Sequence, residues 1–521
     1  MISDSFPAAR LIYDFFRPRY YHHLKLPTRL RALLPLALGF LGFYFAATHM
    51  SQSIWQDEAQ TLSIAQKPTL AEVAKASLQE RPYPPFFFFA VHYSLRFRND
   101  ETGLRLPAAI FGGLATIAVF ALGNLTGGWV IGMLAALFFL LGPGVFRYFV
   151  DANAYTLLIL MVAVSTLLLV RSIKSNTPVA WFGYIFSVLL GLGTHLVFLL
   201  YLGAQIAGAA FWFFSQSGDA AKSHKYFLGT VLLLIVAAGL AIAFYFHGGG
   251  LSRPVHLSQL SSLNTMLSIA GMYFGPLSIG YRSQLAVWVS LQLLGAAVLL
   301  TLQRKIFWPV ALSITLSLLA LTLFIKATVG YVAYKYGLGL FPLACVIAAY
   351  GSRFMVERQT PWHTAVKRLA SAGAALYCIL GGIFLARADR STFEFQNWKG
   401  AAEYLRTHSA AIDTIVVSNR DLPAFSYYYR DPATVVTDRE SSRSYDAITS
   451  SLAKGNRRAW VLISTFENDS PLVGSFTNRN TDDLRTRTLD LVAALKNRGV
   501  TAEEAIRLHR VNVVVCSFGR F

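Results

Sequence analysis

The chain has 521 residues, of which 55% are apolar, 14% aromatic and only 14% charged, and its mean hydropathy is +0.47. A soluble protein would carry about a quarter charged residues, and apolar runs of about twenty residues recur through the first three quarters, so composition excludes an ordinary soluble globule and points to a polytopic α-helical membrane protein. The formal charge of +19 lies largely in short segments between apolar runs, where it sets topology and meets anionic membrane lipids, so no nucleic-acid partner is expected.

Arg10, Arg17, Arg19, Lys25, Arg29 and Arg31 precede the first apolar helix, at 32–49, and no small-residue cleavage site follows them. An uncleaved first helix is expected, with the N-terminus cytoplasmic and Asp57-Glu58 outside. The stretch 84–97 opens on Pro84-Pro85 and falls short of the about twenty residues a span needs, which suits an interfacial helix. If it does not cross, runs at 104–122, 128–147, 154–170, 179–192, 195–214, 227–246, 284–302, 306–325, 336–352 and 369–386 leave nearly every basic loop in the cytoplasm; if it crosses, the same loops face outward. About 11 transmembrane helices are therefore expected, within a range of roughly 11–13, together with interfacial helices in a first external loop of about 50–103 and an aromatic-rich external loop at 247–283.

From residue 390 the apolar runs shorten to strand length, at 414–418, 434–437, 459–464 and 511–516, with helical patterns near 397–408 and 481–498. This predicts a transmembrane domain of 1–389 followed by a small α/β domain of 390–521 outside the membrane. Cys345, Cys378 and Cys516 show no metal spacing and no disulfide framework.

With this topology the outer face receives Asp57, Glu58, Arg81, Tyr83, Arg105, Arg147, Tyr148, Asp151, Asn153, Tyr155, His195, His247, Arg253, His256, Lys326, Tyr334, Lys335 and Tyr336. Each has a plain explanation on its own. Adjacent acids in the first turn of a helix favour its dipole, Lys335 can snorkel, an interfacial Tyr anchors, and His195 beside Gly193 can simply pack. Together, carboxylates from two external segments and several cations around an aromatic mouth form a site for an anionic, partly apolar ligand.

Five segments resemble the GT-C glycosyltransferases, in particular the branch with the protein O-mannosyltransferases and the lipid A aminoarabinose transferases, and they fall in that family's order. Trp55-Gln56-Asp57-Glu58-Ala59 resembles the first-loop W-x-DE-A signature. The run from Arg81 to Phe89, with Glu101 to Pro107, resembles the PP-aromatic and E-x-x-x-R-L-P segment. Tyr148 to Leu158 resembles Y-x-x-E-A-R-x-Y-x-L-L, with Asp151 at its acidic position and Asn153 where Arg is usual. Tyr334-Lys335-Tyr336-Gly337-Leu338 with Phe341-Pro342 resembles a late R-Y-x-L-P-x-x-P run, with Lys335 in place of Arg. The segment from Asn397 to Leu405 suits the opening of the family's extracytoplasmic domain.

The resemblance implies a transferase of the bacterial inner membrane with a periplasmic C-terminal domain, moving a sugar from a polyprenyl-phosphate donor to a lipid, glycan or protein acceptor with inversion. Asp57 then stands as general base, Glu58 as its helper or a helix cap, and Asp151 as the group that orients the acceptor or holds a divalent ion. Lys335, Arg81, Arg105, Arg147 and Arg253 are the candidate phosphate ligands. Tyr83, Tyr148, Asn153, Tyr155, His195, His256, Tyr334 and Tyr336 are the candidate substrate contacts. No cofactor is assigned; Asp57 and Asp151 would suit Mg2+ or Mn2+. A flippase for a lipid-linked sugar and a surface-polysaccharide polymerase or ligase are the competing readings, the former lacking a visible inverted repeat.

Overall fold

The computed structural model describes residues 27–80, 83–214, 221–247, 334–353, 361–387, 396–410, 413–419, 421–430, 434–437, 452, 458–464, 483–508 and 511–517. The helices expected at 284–302 and 306–325, and the loop expected after His247, lie outside them. The chain divides into two units. One comprises Met1–Thr48, Lys67–Ser94 and Arg105–Arg387, the other His49–Gln66, Leu95–Leu104 and Ala388–Phe521.

The helices in chain order are α1 (Thr28–Ala47), α2 (Gln56–Ala65), α3 (Leu70–Glu80), α4 (Phe86–Phe97), α5 (Glu101–Gly127), α6 (Trp129–Leu140), α7 (Pro143–Phe149), α8 (Tyr155–Ser175), α9 (Pro178–Leu192), α10 (Phe198–Phe214) and α11 (Ala221–His247). After a 3-10 turn at Tyr334–Leu340 come α12 (Phe341–Arg353) and α13 (Pro361–Arg387). Among the described residues, α5 and α8 are long and apolar enough to cross a bilayer by themselves. The surface makes the same point. Leu33, Leu36, Phe40 and Tyr44 on α1, Val179, Phe182 and Phe186 on α9, and Leu228, Leu232, Val236 and Leu240 on α11 are exposed, in stripes that water would not tolerate and lipid favours. This is a polytopic helical membrane protein.

Without a hydrophobic force to bring helices together inside lipid, close packing does so. At Gly39 on α1 an added Cβ would lie 2.7 Å from Ile117 Cδ1, and at Gly113 on α5 it would lie 2.7 Å from the Gly39 carbonyl oxygen. The two helices therefore touch backbone to backbone. Polar side chains hold another junction. Gln205 Nε2 on α10 donates to Ser165 Oγ and Thr166 Oγ1 on α8, each at 2.9 Å, while Tyr184 OH on α9 donates to Gln205 Oε1 at 3.2 Å.

Two expected helices are broken. The run 128–147 is split between α6 and α7, because Pro143 has no N–H to continue the first helix and instead opens the second. The run 336–352 begins as the 3-10 turn, which contains Gly337 and Gly339, and becomes α-helical only at Phe341.

The second unit carries α14 (Trp398–His408), β1 (Thr414–Ser418), α15 (Leu422–Tyr428), β2 (Thr434–Thr437), β3 (Ala459–Ser464), α16 (Asp483–Lys496), β4 (Thr501–Leu508) and β5 (Val511–Ser517). The sheet order is β2-β1-β3-β5-β4. The first three strands are parallel, and β5 runs antiparallel to both β3 and β4. Val416, Ala459, Val461, Val514 and Cys516 pack with Leu491 and Leu495 of α16, where burial pushes the Cys516 thiol up to about 12. Strand alternation turns Trp460 to the other face, where its ring meets Tyr404 of α14, and Trp398 meets Phe425 of α15.

Gly113→Ala forces a methyl into the α1–α5 contact. Overpacking of this kind costs about 1–3 kcal/mol. A lowered denaturation temperature of the purified full chain in detergent is the expected outcome, and an unchanged one would show that the helices separate freely.

Candidate active site

In the second unit, the residues that precede α2 decide what each member of the Asp57-Glu58 pair does. Trp55 is the N-cap, in extended conformation, and its indole can only donate. The cap is therefore made from the other side: Glu58, three residues on, takes the Trp55 N–H on Oε2 at 3.3 Å, which is half of a capping box. Glu58 is fully buried, whereas Asp57 is half-exposed. Asp57 is held by its backbone, its carbonyl accepting from Thr61 Oγ1 at 3.0 Å.

The residues just ahead are held by the tail. The Ile54 N–H donates to Tyr428 OH at 2.8 Å, and the Lys399 N–H donates to Ser53 Oγ at 3.1 Å. Lys399 Nζ is also 3.3 Å from Glu101 Oε1. Asp100 opens α5 by accepting the Gly103 N–H at 3.0 Å. Partial burial raises its carboxyl, but the Gly103 N–H, the bond and charge of Arg98 and the Thr102 N–H outweigh it and leave it below the ordinary value. Tyr428 and Ser53 carry no motif and were not among the expected site residues; their only sequence signal is the Asp421-Leu422-Pro423 helix start ahead of three tyrosines.

In the first unit, α7 delivers Arg147 and Tyr148, and a turn through Asp151 and Asn153 leads into α8 at Tyr155. The turn is closed by the Asn153 N–H on the Asp151 carbonyl at 2.7 Å. Tyr148 and Tyr155 meet edge to face at 5.5 Å between ring centroids. His195 lies 5.7 Å from Tyr155 and 4.7 Å from Tyr83, and the two hydroxyls of Tyr83 and Tyr155 are 3.4 Å apart. His195 comes from the turn between α9 and α10, and the Phe86 N–H reaches that turn at the Gly193 carbonyl, at 3.1 Å. The Val197 N–H donates to His195 Nδ1 at 3.1 Å, so the neutral ring carries its proton on Nε2.

The structure thus brings Tyr83, Tyr148, Tyr155 and His195 into one aromatic cluster, with Arg147, Asp151 and Asn153 on the segment that feeds it. Asp151 and Asn153 are buried, as is Arg105 near the start of α5. Asn153 Oδ1 accepts the Ala154 N–H, while Asn153 Nδ2 and Thr156 Oγ1 are buried without a protein partner among the described residues. Thr156, one residue beyond Tyr155, was not singled out by the sequence alone. Tyr334, Lys335 and Tyr336 form the start of the 3-10 turn, which packs against α8. Arg81, Arg253 and His256 lie outside the described residues. Among the described residues no three His, Cys, Asp or Glu side chains come together as a metal-ligand group.

Glu58→Ala leaves the buried Trp55 N–H without its acceptor, a loss of roughly 1–3 kcal/mol, whereas Glu58→Gln keeps an acceptor oxygen. Denaturation of the two purified variants should show Glu58→Ala clearly the less stable; equal stabilities would remove the cap assignment.

Residues 81–242 match the family model described as dolichyl-phosphate-mannose-protein mannosyltransferase. A comparison with curated proteins found no match. Among solved structures, apo ArnT from Cupriavidus metallidurans is similar with 12% identity and a TM-score of 0.54, covering 93% of this chain and 97% of that one. ArnT from the same organism bound to undecaprenyl phosphate gives 11% identity and a TM-score of 0.49, over 94% and 98% of the two chains. The apo oligosaccharyltransferase of Archaeoglobus fulgidus gives 11% and 0.48, over 83% and 70%. The family model covers less than a third of the chain, and the likeness to apo ArnT shows a shared fold.

Proposed function

We propose that the chain transfers a sugar from a polyprenyl-phosphate donor to an acceptor at the extracytoplasmic face of the bacterial inner membrane, with Asp57 as general base. The observation that carries this reading is the division of the acidic pair. The Glu58 side chain caps α2, and the part-buried Asp57 beside it is the member assigned the base. A family model whose description names a dolichyl-phosphate sugar supports the donor class.

A donor with an isoprenoid tail enters sideways from the bilayer, and its phosphate requires cations at the interface. Lys335, Arg81, Arg105, Arg147 and Arg253 are assigned that role, Lys335 as a point charge without the guanidinium fork. Tyr83, Tyr148, Tyr155 and His195 form aromatic walls for the sugar, with His195 Nε2–H and Asn153 Nδ2 as hydrogen-bond donors to it. His256, Tyr334 and Tyr336 complete the proposed substrate contacts. Asp151 orients the acceptor. As Asp57 takes the acceptor proton, the acceptor oxygen attacks the anomeric carbon, the bond to the phosphate oxygen breaks, and the charge that builds on the phosphate is met by the cations. One displacement inverts the anomeric centre. The small α/β domain lies outside the membrane in this reading, and the acceptor is a lipid, a glycan or a protein.

Mass spectrometry of envelope glycolipids and glycoproteins, with and without the gene, identifies the product. Asp57→Asn, returned to the deleted strain, should fail to restore that product, with transfer down about 100-fold or more, while the purified variant still binds polyprenyl phosphate. Full restoration by Asp57→Asn would remove the base from the mechanism.

A further inference from the structure

We infer that Tyr428 and Ser53 are positioning residues for Asp57, and that the C-terminal α/β unit is thereby a working part of the catalytic apparatus. The inference rests on the assignment of Asp57 as the base. Its ground is the way the three residues ahead of α2 are held. Ser53, Ile54 and Trp55 are all buried, and each is held by a hydrogen bond. Trp55 is tied to the first turn of α2, through Glu58. Ser53 and Ile54 are tied to α14 and α15, more than three hundred positions away in sequence: Lys399 N–H to Ser53 Oγ, 346 positions apart, and Ile54 N–H to Tyr428 OH, 374 positions apart.

Tyr428 is itself held rigidly enough to act as a fixed point. Its carbonyl accepts from Arg406 on α14. Its ring meets Tyr427 edge-on, with centroids 4.9 Å apart, and Lys399 Nζ lies 6.0 Å from its centre. Lys399 in turn pairs with Glu101 in the first turn of α5. Two amide-level bonds therefore set where the chain enters α2, and the base sits three residues beyond Ile54 on a helix that follows that entry rigidly. A general base must meet its proton within hydrogen-bond reach, and an error of about 1 Å in its position costs on the order of 100-fold in rate. A plain structural role would stabilise the unit without touching the chemical step; positioning predicts that loss of one hydroxyl shifts turnover and leaves donor binding alone.

The test uses the full chain in nanodiscs. Tyr428→Phe and Ser53→Ala should each lower kcat by about 10–100-fold with the donor KM changed less than about twofold, and Ser53→Thr, which keeps the hydroxyl, should restore most of the loss. Hydrogen exchange read by mass spectrometry should quicken in a peptide spanning Ser53 to Gln60 in Tyr428→Phe, with peptides from β3 and β5 unchanged. Faster exchange there with unaltered kcat overturns the positioning role while leaving the base assignment intact. Unaltered exchange and kcat in both variants overturn the clamp as well. If Asp57→Asn turns over at the wild-type rate in the same preparation, the base assignment fails, and the positioning inference fails with it.

Discussion

Buried main-chain donors must find acceptors, and at the entry to α2 two in succession, Ile54 and Trp55, have to be met before the helical ladder begins. Side chains meet both. Glu58 closes the nearer one within a single turn, and Tyr428 closes the other from a distance of 374 positions along the chain. The cost of closing a long loop grows slowly with its length, so such a contact is affordable once the sheet is already built around it. This makes the segment ahead of α2 dependent on the folding of the tail. The residues of His49–Gln66 and Leu95–Leu104 fall in the same unit as the α/β sheet for that reason, and polar contacts at Ser53, Ile54 and Glu101 mark the places where they are fastened.

The first unit solves the opposite problem. Its apolar side chains are needed on the outside, so they cannot also supply the force that gathers the helices. Glycine contacts such as Gly39 with Gly113 bring backbones together, and the Gln205 junction uses both ends of its amide on three partners. That junction is satisfied by protein groups, which marks it as glue between α8, α9 and α10. The buried polar atoms at the start of α8 differ. Asn153 Nδ2 and Thr156 Oγ1 have no protein acceptor or donor among the described residues, and buried polar groups in that condition usually serve water or ligand.

Much of this was legible in the sequence, and the failures have physical causes. The strands at 414–418, 434–437 and 459–464 were readable because continuous β-branched runs have few other uses in a polar tail. β4 was missed: Thr501-Ala502-Glu503-Glu504-Ala505-Ile506-Arg507-Leu508 has the composition of a helix, and only pairing with β5, across an irregularity between Glu504 and Ile506, makes it a strand. α15 was missed because it is seven residues long and aromatic, too short for a period to show. The motifs cover the residues of the aromatic cluster and both carboxylate segments, whereas the contacts of Tyr428 and Ser53 are encoded by no local pattern.

The acidic pair shows how far spacing alone can go. In the first turn of a helix, the N3 side chain is the one that can fold back onto the N-cap N–H, while N2 is carried round to another direction. With Trp55 as N-cap, Glu58 is N3 and Asp57 is N2, so the capping residue and the proposed base differ by one position. A tryptophan cap sharpens the division, because a Ser or Thr there would share the capping work and an indole cannot. The cap holds Glu58 buried, with Oε2 on the Trp55 N–H. In the proposed mechanism the geometry of the turn thus gives two adjacent carboxylates, alike in chemistry, different roles.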